Sequence, residues 1–153
     1  MATITYTVTV ATGTNQYSAG ANKFYINGEV SPVLYLQEGN TYIFDQSDSS
    51  NATHILAFST NANNNPALPY TSGVTTTGTT GQAGANTTIV VAPVRTTGAP
   101  VLFYYCTVHS GMGNTAQTTP PTSETTEFNP QIDEIIEEAY ERTGVLGTRT
   151  GYQ

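Results

Sequence analysis

At 153 residues the chain is long enough for one domain with its own core and too short for two ordinary domains. Its four Lys and Arg residues do not cluster, which argues against binding to a nucleic-acid backbone, and seven of its eleven acidic residues lie in residues 124–153. Abundant Thr, Asn, Gly and Ser favour an all-β domain with many turns over a helical bundle.

The N-terminal segment predicts a strand with one buried face. Apolar residues at 4, 6, 8 and 10 alternate with threonines, which is the period of a half-buried strand. This start lacks the basic residues and the apolar run of a signal peptide, so we expect an unexported product. No stretch of the sequence is apolar for long enough to span a membrane, and we expect no membrane partner.

Short apolar runs separated by turns follow. Asn27-Gly28 predicts a tight hairpin turn, because both positions can take positive φ. Residues 59–86 show little periodicity, and a connection of that length predicts a crossover arm between two sheets. The pattern as a whole predicts an all-β Greek-key β-sandwich over residues 1–118. The other predicted strands cover residues 33–36, 41–45, 54–58, 88–91 and 101–106.

The C-terminal part has a different composition. A Thr/Pro-rich stretch begins at Asn114, and we assign residues 119–128 to a linker and 129–153 to a helical docking tail. Asn129 can cap the helix and Pro130 suits its first position. Because so short a helix is marginal alone in water, we expect its apolar stripe to dock on a partner. That stripe consists of Ile132, Ile135, Ile136, Ala139 and Tyr140.

A spacing of three brings potential metal ligands together after an aromatic strand. Cys106, His109 and Met112 offer a thiolate, an imidazole and a thioether, which are soft ligands suited to copper. A second imidazole would complete a His₂Cys set with a weak axial Met, and His54 is the only other histidine. The sequence therefore predicts a copper site at His54, Cys106, His109 and Met112.

Other interpretations of these residues remain open. Taken singly, a Cys at a strand end is commonly a small buried hydrophobe, and Met commonly fills a gap. A nucleophilic Cys106 paired with His109 is less favoured, since no acid or amide is placed in the sequence to orient the imidazole, and we expect no enzyme. A zinc site is also less favoured, because zinc seldom takes Met as a ligand.

The loop Cys106-x-x-His109-x-x-Met112 resembles the ligand loop of the blue copper proteins, or cupredoxins. The resemblance implies a Greek-key β-sandwich and electron transfer, with His54, Cys106 and His109 as equatorial ligands and Met112 as the axial one. In many members an Asn follows the upstream His and is hydrogen-bonded to the residue after the Cys. Here that position is Ile55, so this support of the metal is missing, which implies weaker binding.

A second resemblance concerns bacteriophages. The segments 44–51, 73–76 and 104–113 are together similar to a domain that recurs in virion proteins of marine bacteriophages, cyanophages in particular. The tail segment 128–142 resembles the opening of phage neck and tail-tube adaptor proteins, which continue into a helical body. This resemblance implies that the chain is either a fragment or a form that keeps only the docking helix.

These resemblances imply a virion structural protein of the head–tail or neck region, or a decoration protein. We expect it to be multimeric in the particle and attached to other virion proteins through the C-terminal helix. One alternative is a small blue-copper electron carrier. Another is a host-surface adhesion module that uses the loop 59–86 as its contact surface.

Overall fold

The computed structural model describes residues 1–64, 68–92 and 101–120; most of the predicted linker and all of the docking tail lie outside these ranges. Within them the chain forms strands and two short 3₁₀ turns, Ser49–Asn51 and Ala62–Asn64, and none of its helices is long and apolar enough to span a membrane. The strands are β1 (Thr3–Thr14), β2 (Ala19–Ile26), β3 (Glu29–Val30), β4 (Leu34–Gln37), β5 (Thr41–Asp45), β6 (Leu56–Ser59), β7 (Val74–Thr77), β8 (Asn86–Val90), β9 (Leu102–Cys106) and β10 (Asn114–Thr119).

The strands form two mixed sheets. One has six strands in the order β3-β2-β1-β5-β8-β7, and the other has four in the order β4-β10-β9-β6. The pairs β1–β5 and β4–β10 are parallel, whereas the other neighbours run antiparallel. The all-β class is therefore confirmed, while the Greek-key connectivity stays a prediction.

The alternation seen in the sequence determines which face of β1 is buried. Val8 is fully buried, and Ile4 and Tyr6 pack against the core, whereas the threonines at 3, 5 and 7 are exposed. The predicted hairpin joins β2 and β3, with Asn27 at φ 51° and Gly28 at φ 85°. Two positive φ values in succession define the turn that matches the twist of paired strands.

The core lies between the two sheets. Buried side chains from the inner faces of both belong to one cluster, and Phe44 of β5 meets Phe58 of β6 with ring centroids 5.5 Å apart. Such an edge-on aromatic pair adds to the free energy gained by burying both rings. The arrangement is a two-layered, sandwich-like fold with β6 and β9 adjacent in the smaller layer.

Two segments differ from their predicted structure. The arm 59–86 does leave the smaller sheet and reach the larger one, but it also contains β7, which pairs with β8. Asn114–Thr119, which the sequence places in the Thr/Pro-rich stretch, forms β10 between β4 and β9. Both strands consist mainly of Thr and other small or polar residues, so neither shows the apolar alternation that identifies a strand in a sequence.

Candidate metal centre

Strand pairing brings the upstream histidine to the cysteine. Cys106 is the last residue of β9 and lies opposite Leu56, the first residue of β6. His54 precedes β6 by two residues, so it lies at the same end of the smaller sheet as Cys106. His109 and Met112 follow in the loop that joins β9 to β10, which we call the ligand loop (residues 107–113).

The predicted donor atoms converge. Sγ of Cys106 lies 3.6 Å from Nδ1 of His54 and 3.9 Å from Nδ1 of His109. The donor atoms of these three residues all lie within 4.8 Å of one another. The two imidazole rings are tilted by 44° to each other, with centroids 4.8 Å apart.

These distances fit a shared metal ion. With the bond lengths of zinc as a guide, roughly 2.3 Å to sulfur and 2.0–2.1 Å to nitrogen, two such donors lie about 3.5–3.8 Å apart at angles between tetrahedral and trigonal. One sulfur with two ring nitrogens close to it is the arrangement that a shared ion requires, and the group can hold a metal ion.

The fourth predicted residue lies beside this group. Met112 is 1 % exposed and belongs to the same buried cluster as Cys106. Cys106 is equally buried and His54 is 8 % exposed, whereas the imidazole of His109 is exposed to solvent. A metal held here would be enclosed on the side of the sandwich and reach the surface through His109.

The electrostatics of His54 suit a ligand. Burial lowers the pKa of its imidazole below the ordinary value, and the neighbouring His109 lowers it further. The neutral form, which alone has a free nitrogen lone pair for a metal, therefore persists to lower pH than in an exposed histidine.

The main chain replaces the side-chain support that Ile55 cannot provide. The amide of Thr107 donates a hydrogen bond of 3.0 Å to the carbonyl of Ile55. This bond extends the β6–β9 ladder by one step and joins the two segments that bear His54 and Cys106. The Ile at position 55 therefore does not leave the ligand segments unconnected.

Two glycines shape the ligand loop. Gly111 has a φ of 81°, a value that residues with a side chain rarely adopt. A Cβ at Gly113 would overlap the carbonyl of Tyr104 on β9, so only glycine allows this close approach. The chain can therefore turn from β9 into β10 while Met112 stays packed inward.

Three polar side chains and one main-chain amide hold the carbonyls of this loop. The carbonyl oxygen of Gly111 accepts hydrogen bonds from Nδ2 of Asn15 at 2.9 Å and from Nζ of Lys23 at 3.0 Å. The next carbonyl, that of Met112, accepts from the amide of Phe24 at 2.9 Å and from Oγ of Ser31 at 3.0 Å. The loop is thus tied to the six-stranded sheet at two successive residues.

Lys23 is an unusual member of this group because it is fully buried. Its ammonium also donates to Oγ of Ser18 at 2.6 Å, so it is held by uncharged oxygens, a hydroxyl and a carbonyl. Burial accordingly lowers the pKa of Lys23.

The crossover arm contributes a further contact. Asn63, at φ 52° in the 3₁₀ turn Ala62–Asn64, accepts a hydrogen bond of 2.6 Å from the amide of Gly111 through Oδ1. The sequence predicted the three residues whose donor atoms converge here, but it gave no indication of Asn15, Lys23, Ser31 and Asn63. Their segments are distant in sequence from the ligand loop, and isolated Asn, Ser and Lys residues do not indicate what they will contact.

Comparison of the chain with protein-family models, curated proteins and solved structures gives no match. The features of this chain that bear on its function are therefore the chemistry of the four side chains and the residues that hold them.

Proposed function

We propose that the β domain binds one copper ion, with His54, Cys106 and His109 as its main ligands and Met112 as a weak axial ligand. The observation that supports this most is the convergence of three donor atoms within 4.8 Å. One thiolate and two imidazoles with a nearby thioether favour copper over zinc, which seldom takes Met. The two sheets and the position of the ligands at one end of them are consistent with a Greek-key, cupredoxin-like sandwich.

Titration with copper(II) tests the metal site. The expected result is an intense visible absorption from thiolate-to-copper charge transfer, at a stoichiometry of one ion per chain. Cys106→Ser should abolish the colour, because it removes the sulfur that donates the charge. Met112→Leu should keep the copper and shift its reduction potential. A protein that stays colourless and takes up no copper would contradict the proposal.

We further propose that the domain belongs to a virion structural protein and that the metal fastens the domain. The support is the resemblance of segments 44–51, 73–76 and 104–113 to phage virion domains, together with the predicted tail helix. In a particle, an ion held by His54, by Cys106 of β9 and by the ligand loop would stabilise the native fold, since it binds the native state alone.

Mass spectrometry of purified virions tests this role, because a structural protein must be present in the particle. Attachment through the predicted stripe is tested separately by Ile136→Asp, which should release the domain as a soluble monomer without unfolding it. Absence of the polypeptide from particles would exclude the virion role and leave the copper site unaffected.

An electron-carrier role is favoured by one specific observation. His109 is exposed while the other three residues are buried, so its imidazole offers a path from the metal to a redox partner at the surface. This role requires reversible reduction of the bound copper and rapid electron exchange with an added donor. Copper that binds but does not cycle would favour the structural role. Within the part of the chain that the structure describes, no specific observation favours the adhesion alternative.

A further inference from the structure

Gln46 is a fully buried polar residue directly after β5, in the six-stranded sheet. Its main chain is fixed on both sides: the amide donates to the carbonyl of Ala85 at 2.9 Å, and the carbonyl accepts from the amide of Gly81 at 2.8 Å. These bonds leave the side chain little freedom of placement. It extends toward the segment that leads into β6 in the other sheet.

The Gln46 side chain holds the main chain on both sides of Ile55. Its Nε2 donates to the carbonyl of His54 at 2.7 Å, and its Oε1 accepts from the amide of Leu56 at 3.0 Å. The same Nε2 also donates to Oδ1 of Asn51 at 3.1 Å. The Gln46 side chain therefore satisfies one main-chain acceptor, the carbonyl of His54, and one main-chain donor, the amide of Leu56.

Through its bond to Asn51, Gln46 is also linked to the amide of His54. Asn51 is also fully buried; its carbonyl accepts from the amide of His54 at 2.8 Å, and its Nδ2 donates to the carbonyl of Val8 on β1 at 2.7 Å. Both polar main-chain groups of His54 are thus fixed by residues that are themselves anchored in the six-stranded sheet. The residue before it, Thr53, has a φ of 71°, which a β-branched side chain disfavours, so the local conformation needs external support.

We propose that Gln46 is a positioning residue for the metal centre, an inference that rests on the proposed copper site. It sets the main chain at His54 so that Nδ1 points at Cys106 before any metal arrives. In this way the larger sheet, which contributes none of the four ligands, determines the position of one of them. Removing outer residues that orient a ligand commonly weakens metal binding by roughly 10–100-fold.

Two variants of Gln46 separate this role from simple stabilisation. Gln46→Glu keeps the acceptor for Leu56 but places a carboxylate oxygen opposite the His54 carbonyl, where a donor is needed. Gln46→Met keeps the length of the side chain and removes both polar groups. The matched control is Thr87→Val: Thr87 of β8 is fully buried and donates from Oγ1 to the carbonyl of Leu56 at 2.8 Å, two residues after His54.

For each variant, the copper dissociation constant and the visible spectrum are measured on the full chain, with circular dichroism to confirm that the protein is folded. We expect both Gln46 variants to lose about 10–100-fold in copper affinity and to change the intensity ratio of the charge-transfer bands. Thr87→Val should bind copper with the affinity of the wild type, even if its thermal stability falls as much as that of the Gln46 variants. Because Gln46→Glu retains one of the bonds, it gives a second test if Gln46→Met does not fold.

The outcomes distinguish this inference from the proposed function. If the wild type binds no copper, the proposed function fails and the positioning role fails with it. If the wild type binds copper and either folded Gln46 variant matches it in affinity and spectrum, only the positioning role is overturned. Equal losses in the Gln46 variants and in Thr87→Val would also overturn it, because general destabilisation would then account for the effect.

Discussion

His54 combines two roles at the scale of a single residue: its imidazole faces the sulfur of Cys106, and its main chain is fixed by hydrogen bonds. Its ring is buried beside a second imidazole, and both circumstances disfavour a charge on it. A buried imidazole that stays neutral is ready to bind a metal. Its protonation also opposes folding.

Because protonation of His54 opposes folding, we predict that the stability of the metal-free protein depends on pH. Because the pKa of His54 is lower in the folded than in the unfolded chain, the unfolded state takes up the proton more readily. The stability due to neutral His54 should therefore be full above about pH 6.5, the ordinary histidine value, and should fall as the pH drops toward the lowered folded pKa. Urea denaturation at a series of pH values measures it.

The control for this prediction is His54→Gln, which cannot titrate in this range. Its free energy of unfolding should decline less between pH 7 and pH 5 than that of the wild type. If the free energy of unfolding fell in parallel with pH in the two proteins, His54 would not contribute to the pH dependence of stability.

Supports of the ligand loop come from several elements rather than from the loop itself. β2 supplies the main-chain amide of Phe24 and the ammonium of Lys23, the segments that follow β1 and β3 supply Asn15 and Ser31, and the crossover arm supplies Asn63. A loop fixed in this manner loses less entropy when it binds a metal, because it is already ordered. The arm thus has a role at the site in addition to crossing between the sheets.

The contact from the arm can be tested by Asn63→Gly. Glycine accepts the positive φ at this position and removes only the side-chain acceptor for the amide of Gly111. We expect faster hydrogen exchange at Gly111, faster release of copper, and a loss of about 1 kcal/mol in stability.

Asn27→Gly provides a matched control. Asn27 has nearly the same φ, 51°, and its Oδ1 likewise accepts a main-chain bond, from Thr7 at 2.8 Å, but it lies in the β2–β3 hairpin. Asn27→Gly should lower stability by about as much as Asn63→Gly does and leave the rate of copper release unchanged. Equal copper release rates in the two variants would refute the role of the arm.

For the whole domain, a metal ion would join parts of the chain that are far apart in sequence. His54 lies 52 positions before Cys106, and the ligand loop that follows is bonded to both sheets. An ion held there links the end of the smaller sheet to elements of the larger one through the loop. Its binding energy then adds to the stability of the whole fold rather than of one hairpin.

Copper should accordingly stabilise the protein by mass action. At free copper 100-fold above the dissociation constant, the free energy of unfolding should rise by about 2.7 kcal/mol. Thermal denaturation with and without copper measures the change. The rise should disappear in Cys106→Ser and largely persist in Met112→Leu, since an axial thioether binds weakly. An equal rise in Cys106→Ser would mean that copper binds elsewhere.

Several features of the protein follow from the sequence alone, because short-range patterns encode them. Period-two alternation identifies β1 and its buried face, and Asn27-Gly28 identifies the hairpin turn. The spacing of Cys106, His109 and Met112 indicates the ligand loop, since a short turn after a strand brings such neighbours together. His54 follows by elimination, as the only other histidine in the chain.

Tertiary structure alone decided the rest. The sequences of β7 and β10 have no apolar alternation; they are strands because a neighbouring strand offers a ladder of hydrogen bonds to each. The role inferred for Gln46, and the contacts of Asn63, depend on which buried main-chain groups face them after the sheets have packed. A polar side chain can form hydrogen bonds with many kinds of partner, so its position in the sequence does not identify the partner. Once the side chain is buried away from water, however, it must form a hydrogen bond with a group that the packed sheets place beside it.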